Sequence, residues 1–348
     1  TGSATVTVSG GTGAYTYSWA PSGGSAATAS NLAAGTYTVT IKDANLCTIT
    51  KTFTITEPST ITATTSQTNV LCKSDATGSA TVTPTGGTGA YTYSWSPSGG
   101  SAATASNLTA GTYTVTIKDA NLCSITKTVT ITEPAAALTA TTSQTNVACN
   151  AGTTGSATVT VSGGTGAYTY SWAPSGGSSA TASNLAAGTY TVTIKDANLC
   201  TITKTFTITE PTAITATTSQ TNVLCKSNTT GSATVTPTGG TGAYTYSWAP
   251  SGGSAATASN LAAGTYTVTI KDANLCTITK TVTIIEPAAA LTATTSQTNV
   301  SCNAGTNGSA TVTVSGGTGA YTYSWAPSGG SAATASNLAA GTYTVTIK

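Results

Sequence analysis

Residues 107–134 read NLTAGTYTVTIKDANLCSITKTVTITEP. Two alternating runs flank a short polar turn. Tyr113, Val115 and Ile117 fall on one side of the first run, and Thr112, Thr114 and Thr116 on the other. Ile125, Val129 and Ile131 repeat the alternation in the second run, which stops at Glu133–Pro134. A period of two marks strands with one apolar face. Asp119-Ala120-Asn121 supplies turn chemistry between them, so the stretch predicts an antiparallel hairpin.

The same period extends upstream. Tyr91, Tyr93 and Trp95 share one face with Thr92 and Ser94 opposite, and Ser79–Thr83 alternates small or apolar residues with Thr. Thr60–Val70 reads as extended and Ala102–Leu108 as a weaker strand. Gly-Gly, Ser-Gly-Gly and Ala-Gly punctuate these runs, and no stretch has helical periodicity. Six or seven short strands in about 76 residues predict a small immunoglobulin-like antiparallel β-sandwich. The fold class is therefore all-β.

This unit recurs along all 348 residues. TGSATV begins at Thr1, Thr77, Thr154 and Thr230, and NGSATV at Asn307. The Trp of YSW stands at 19, 95, 172, 248 and 325, which by subtraction gives spacings of 76, 77, 76 and 77. A repeat this long is a whole small domain rather than a rung of a solenoid. The expected organisation is a partial repeat at 1–58 without its first strand, complete repeats at 59–134, 135–211 and 212–287, and a partial repeat at 288–348 without its last strand. The chain thus reads as a piece of a longer protein, with export signal and anchor elsewhere. Glu57-Pro58, Glu133-Pro134, Glu210-Pro211 and Glu286-Pro287 close the repeats and leave short, Pro-stiffened joints, predicting a semi-rigid array. Pro84 and Pro237 stand where other copies have Val8, Val161 and Val314, so two repeat types alternate.

Composition narrows the function. Only 6% of residues are charged, the net charge is +2 and there is no His. That charge is too small and dispersed for a nucleic-acid footprint. Without His no Ser–His pair exists, and the nine acids come about once per motif without clustering. No catalytic site, cofactor or metal is expected; a single Asp119-type carboxylate per turn falls short of the six or more oxygens that calcium takes. No apolar run is long enough for membrane insertion. Lys51, Lys127, Lys204 and Lys280 sit on the apolar parity of the last strand, where an inward-leaning Lys guards a sheet edge against aggregation.

The eight Cys form two series, Cys47, Cys123, Cys200 and Cys276 in DANLC, and Cys72, Cys149, Cys225 and Cys302 after TNV plus one residue. Without His or CxxC spacing they read as disulfides, which places the chain outside the reducing cytosol. Two pairings compete. Bonds inside a repeat would join Cys72–Cys123, Cys149–Cys200 and Cys225–Cys276; bonds across a linker would join Cys47–Cys72, Cys123–Cys149, Cys200–Cys225 and Cys276–Cys302. Four clear strands separate Cys72 from Cys123, and an even number of crossings returns the chain to the same pole. Strand parity therefore favours the first pairing, with the partners of Cys47 and Cys302 outside the chain. An extra crossing after Trp95 would reverse this parity. Trp19, Trp95, Trp172, Trp248 and Trp325 are expected in the cores. Tyr37, Tyr113, Tyr190, Tyr266 and Tyr343 are expected beside them as tyrosine corners bonded to backbone.

At GGTGAYTYSW, NLAAGTYTVTIKDANLC and TITEP the chain closely resembles the SprB-type repeat of bacterial gliding adhesins, and the resemblance runs through every copy. It implies a very large bacterial cell-surface protein whose repeats form long filaments, exported by a type IX system in related bacteria and in some members moved along the cell to drive gliding. The leading expectation is the stalk or filament shaft of an extracellular adhesin, not an enzyme. A self-assembling fibre or sheath and a glycan-binding array are the alternatives. The expected partners are other copies of the chain or other surface proteins, with surface polysaccharide as a further candidate.

Overall fold

The computed structural model describes residues 1–348 and contains twenty-eight β-strands and no helix. Contacts divide the chain into two compact units. The first comprises Thr1–Thr139, Val161–Tyr168 and Lys195–Ile202; the second comprises Ala140–Thr160, Thr169–Ile194 and Thr203–Lys348.

In the first unit, the opening copy supplies β1 (Gly2–Thr5), β2 (Thr16–Ala20), β3 (Thr28–Leu32), β4 (Gly35–Lys42) and β5 (Thr48–Ile55). The next copy is complete, with β6 (Thr62–Thr68), β7 (Gly78–Thr85), β8 (Thr92–Ser96), β9 (Thr104–Leu108), β10 (Gly111–Lys118) and β11 (Ser124–Ile131). Its strands form two three-stranded antiparallel sheets, ordered β6-β7-β9 and β11-β10-β8. The hairpin expected at 107–134 is β10–β11, in register from Gly111↔Ile131 to Lys118↔Ser124. Tyr113, Val115 and Ile117 are buried between the sheets with Val82, Trp95, Val129 and Ile131. Each such side chain contributes about 1.5–3 kcal/mol by leaving water. In the second unit, residues 212–287 repeat the plan, with sheets built on Gly231–Thr238 and Gly264–Lys271 and a core around Trp248, Tyr266 and Ile270.

Gly78 shows why GSATV opens with glycine. A Cβ there would lie 2.7 Å from Ile131 Cγ2 and 2.8 Å from the Leu108 carbonyl, so the two sheets close only over a bare Cα.

The parity argument fails at β8 and β9. β8 pairs with the Lys118 end of β10, from Thr92↔Lys118 to Ser96↔Thr114. β9 pairs with the Gly78 end of β7, from Thr81↔Thr104 to Gly78↔Leu108. Each strand therefore spans about half a sheet. Together they make one descent that changes sheets midway, through the segment holding Trp95 N–H···O Gly100 (3.2 Å) and Trp95 Nε1–H···O Ala102 (2.9 Å). Four strands amount to three crossings. Cys72 and Cys123 consequently lie at opposite poles of the repeat.

All five Trp are buried, as are Tyr37, Tyr113, Tyr190 and Tyr266; Tyr343 is half-buried. Each of these Tyr hydroxyls donates to a carbonyl four residues upstream, such as Thr109 O for Tyr113 (3.1 Å) and Ala339 O for Tyr343 (3.2 Å). Lys127 is half-buried on edge strand β11 opposite Val115.

Candidate functional site: the junction between repeats

One pole of each complete repeat carries the DANLC loop, whose shape comes from a buried carboxylate. Asp196 is 3% exposed and accepts three backbone N–H groups, from Asn198 and Cys200 on Oδ1 and from Thr165 on Oδ2, each at 2.9 Å. Asp119 does the same with Asn121 (3.0 Å), Cys123 (2.9 Å) and Thr88 (2.9 Å). The carboxylate closes its own turn and ties it to the GGTG loop. In the first copy, the N–H of Thr12, then those of Cys47 and Asn45, hold the Asp43 carboxyl below its ordinary value. The clamp leaves the Leu between Asn and Cys in the left-handed region, with φ of 66° at Leu199 and 64° at Leu122.

The opposite pole carries the TNVxC loop. Val70 N–H bonds Thr132 O (2.9 Å), and Asn69 Oδ1 accepts Thr132 N–H (3.0 Å), so the loop is sewn to the end of the last strand. Glu133 closes it: Oε2 accepts Ser74 N–H at 2.7 Å and Oε1 pairs with Lys73 Nζ. In the following copy Glu210 Oε2 accepts Ala151 N–H (2.6 Å) and Oε1 accepts Asn150 Nδ2–H (3.1 Å). The Glu of the TEP motif thus ends a strand and anchors a loop about 60 residues away in sequence.

These loops meet across consecutive repeats. Cys72 is bonded to Cys200 and Cys149 to Cys276, both with Cα–Cα distances of 5.6 Å. Beside each bond the turn Asn donates to the carbonyl preceding the partner Cys: Asn198 Nδ2–H to Leu71 O (2.9 Å) and Asn274 Nδ2–H to Ala148 O (3.0 Å). The second junction also forms a cleft lined by Cys149, Asn150, Pro211, Ile214, Asp272 and Cys276.

Neither expected pairing occurs. The in-repeat bonds Cys72–Cys123, Cys149–Cys200 and Cys225–Cys276 are absent because their members lie at opposite poles, and no linker-spanning pair forms. Cys47, Cys123, Cys225 and Cys302 are free and exposed. One rule covers the bonds that do form: the TNVxC cysteine of one repeat joins the DANLC cysteine of the next, 127 or 128 residues on. The turn reading of Asp119 holds. The roles of the turn Asn and the TEP Glu were missed, although both residues recur at fixed spacing from the cysteines they serve. No group of three His, Cys, Asp or Glu side chains is placed to hold a metal ion.

A family model described as SprB repeat matches residues 1–26, 64–100, 141–177, 217–255 and 294–332. No curated protein matches the chain. Among solved structures, the eight N-terminal Ig domains of Down Syndrome Cell Adhesion Molecule align at 10% identity and a TM-score of 0.28, over 91% of this chain and 61% of that one. Surface layer protein SbsC, domains 1–6, aligns at 14% identity and 0.24, over 87% and 58%. Drosophila OTK, extracellular domains 3–5, aligns at 12% identity and 0.24, over 66% and 92%. The chain spans about three fifths of the length of the first two structures.

Proposed function

The chain belongs to the SprB repeat family, and from that premise we propose that it is the load-bearing shaft of a secreted bacterial surface adhesin, each repeat locked to the next by a disulfide. The domain limits are part of the proposal: complete repeats at 59–134, 135–211 and 212–287, partial ones at 1–58 and 288–348. Disulfides persist in oxidising surroundings, which supports an extracellular location. Export by a type IX system and service in gliding are carried into the proposal from the family.

The observation that carries it is that the two bonds interleave. Cys149 lies inside the interval closed by Cys72–Cys200, and Cys200 inside that closed by Cys149–Cys276. A bond within one repeat would protect that repeat alone. Interleaved bonds between neighbours give the chain a covalent short cut that survives unfolding. From Cys72 to Cys276 the backbone runs 204 residues (276 minus 72). The shortest covalent route crosses both bonds and only the 51 residues between Cys149 and Cys200 (200 minus 149).

Single-molecule stretching tests this. The oxidised chain should reach full extension about 500 Å short of the reduced chain, the length of the bypassed residues at about 3.3–3.6 Å each. Equal final lengths overturn the proposal.

A further inference from the structure

Two halves of the junction stand unoccupied at the two extremes of the chain. In the first repeat, Asp43 shapes its turn as Asp196 does, through Thr12 N–H (3.0 Å), Asn45 N–H (3.0 Å) and Cys47 N–H (2.9 Å). The receiving loop is therefore preformed without a partner. Its Cys47 is exposed and free. The Asn45 side-chain amide, which in Asn198 and Asn274 grips a carbonyl of the preceding repeat, makes no hydrogen bond.

In the last repeat the inserting loop is also preformed. Ser301 N–H bonds Asn307 Oδ1 (3.1 Å), as Leu71 N–H bonds Thr77 Oγ1 (3.3 Å). Gly305 N–H closes on Cys302 O at 3.0 Å, as Gly152 N–H does on Cys149 O at 2.9 Å, and Ala304 has φ of 62° against 57° at Ala151. Cys302 is exposed and free. The sequences on both sides are those that bond twice inside the chain.

We infer that these are complementary ends, and that the Cys302 loop of one copy docks on the Cys47 loop of a second copy and bonds to it, joining chains head to tail. The inference rests on the stapled array proposed above. The Asn45 amide donates to Ser301 O, as Asn198 does to Leu71 O, and sets the two sulfurs in register. Each thiol gives up one proton and one electron as the S–S bond forms. The electron acceptor is a small-molecule disulfide, one oxidised glutathione becoming two reduced ones. Cys123 is not the receiving partner, because it shares its cleft with Glu57 and Pro58 of the preceding repeat.

The test is oxidation of the full chain, at rising protein concentration, in a glutathione redox buffer. Readouts are non-reducing electrophoresis and peptide mass mapping of the disulfides. The expected result is a reducible ladder of dimers and higher multimers carrying the Cys47–Cys302 peptide pair. Cys47→Ser and Cys302→Ser should each abolish it, and Asn45→Ala should slow its growth at least threefold while leaving the monomer's folding intact. A chain that stays monomeric, or a ladder that persists in Cys47→Ser, overturns the inference. The same map reads Cys72–Cys200 and Cys149–Cys276. If those bonds are present and the ladder is absent, the end-to-end inference alone falls; if they are absent, the stapled shaft falls too.

Discussion

The DANLC loops at 119–123 and 196–200 have the same sequence, the same buried carboxylate and the same three internal hydrogen bonds. They differ in what they face. Cys200 and Asn198 hold the loop of the preceding repeat, whereas Cys123 is free and the Asn121 amide makes no side-chain hydrogen bond. The loop therefore does not need its partner to take shape. Docking adds to a preformed half-site, and the cost of ordering is met inside the repeat.

The largest separation between the two loops should come from their cysteines. Cys72→Ser with Cys200→Ser opens a closed interval of 128 residues. The chain-entropy model puts the loss at about 4–5 kcal/mol. Cys123→Ser should cost nothing. Denaturant midpoints under matched oxidising conditions check both, and a similar loss in both variants would erase the distinction.

The carboxylates should behave alike. Asp196→Ala and Asp119→Ala each strand three backbone N–H groups in a buried turn, at about 3 kcal/mol or more. Local hydrogen exchange should show loss of protection at the DANLC amides in both repeats. A much larger effect at Asp196 would mean that the docked loop helps to shape the turn. The Asn side chains come next. Asn198→Ala removes a single hydrogen bond to Leu71 O, about 1 kcal/mol, and should speed reduction of Cys72–Cys200. Asn121→Ala should leave stability unchanged, and any measurable loss there would reveal a partner for the open loop.

Much of this was legible in the residues. Strict alternation in 107–134 decides the hairpin, because a one-residue slip would turn Tyr113, Val115 and Ile117 into water. The repeat period follows from five identically placed Trp. The disulfide partners were not legible in the same way. Strand parity assumes that each strand crosses the whole sheet, and β8 and β9 each cross about half. Periodicity also hides the answer, since Cys123 and Cys200 are equivalent in sequence and only the relation between consecutive copies distinguishes their partners. Nor does local sequence reveal that Glu133 reaches back to the loop at 70–77, because strand β11 delivers it there.

The smallest effect concerns the other pole. The Lys73 loop and the Asn150 loop have the same backbone grip from their Glu, at Ser74 N–H and Ala151 N–H, but one side-chain partner is charged and the other neutral. The hydrogen bond from Lys73, then that from Ser74 N–H, holds the Glu133 carboxyl below its ordinary value of 4.5; Lys226 and Ser227 do the same for Glu286. A carboxyl whose folded value is depressed adds stability that is fully present above the unfolded value. That stability is lost as the pH falls through the folded value, so the Lys73 and Lys226 loops should loosen only below about pH 4.5. Lys73→Asn copies the neutral loop into repeat 2. It should raise the Glu133 titration midpoint, read by carboxyl NMR, and move the loss of order at residues 70–77 to higher pH. The pair is half-exposed, so the change in melting temperature at neutral pH should be slight and should shrink further in high salt. An unmoved midpoint would assign the depression to the Ser74 amide instead, and the charged and neutral loops would then be one device in which only the backbone contact matters.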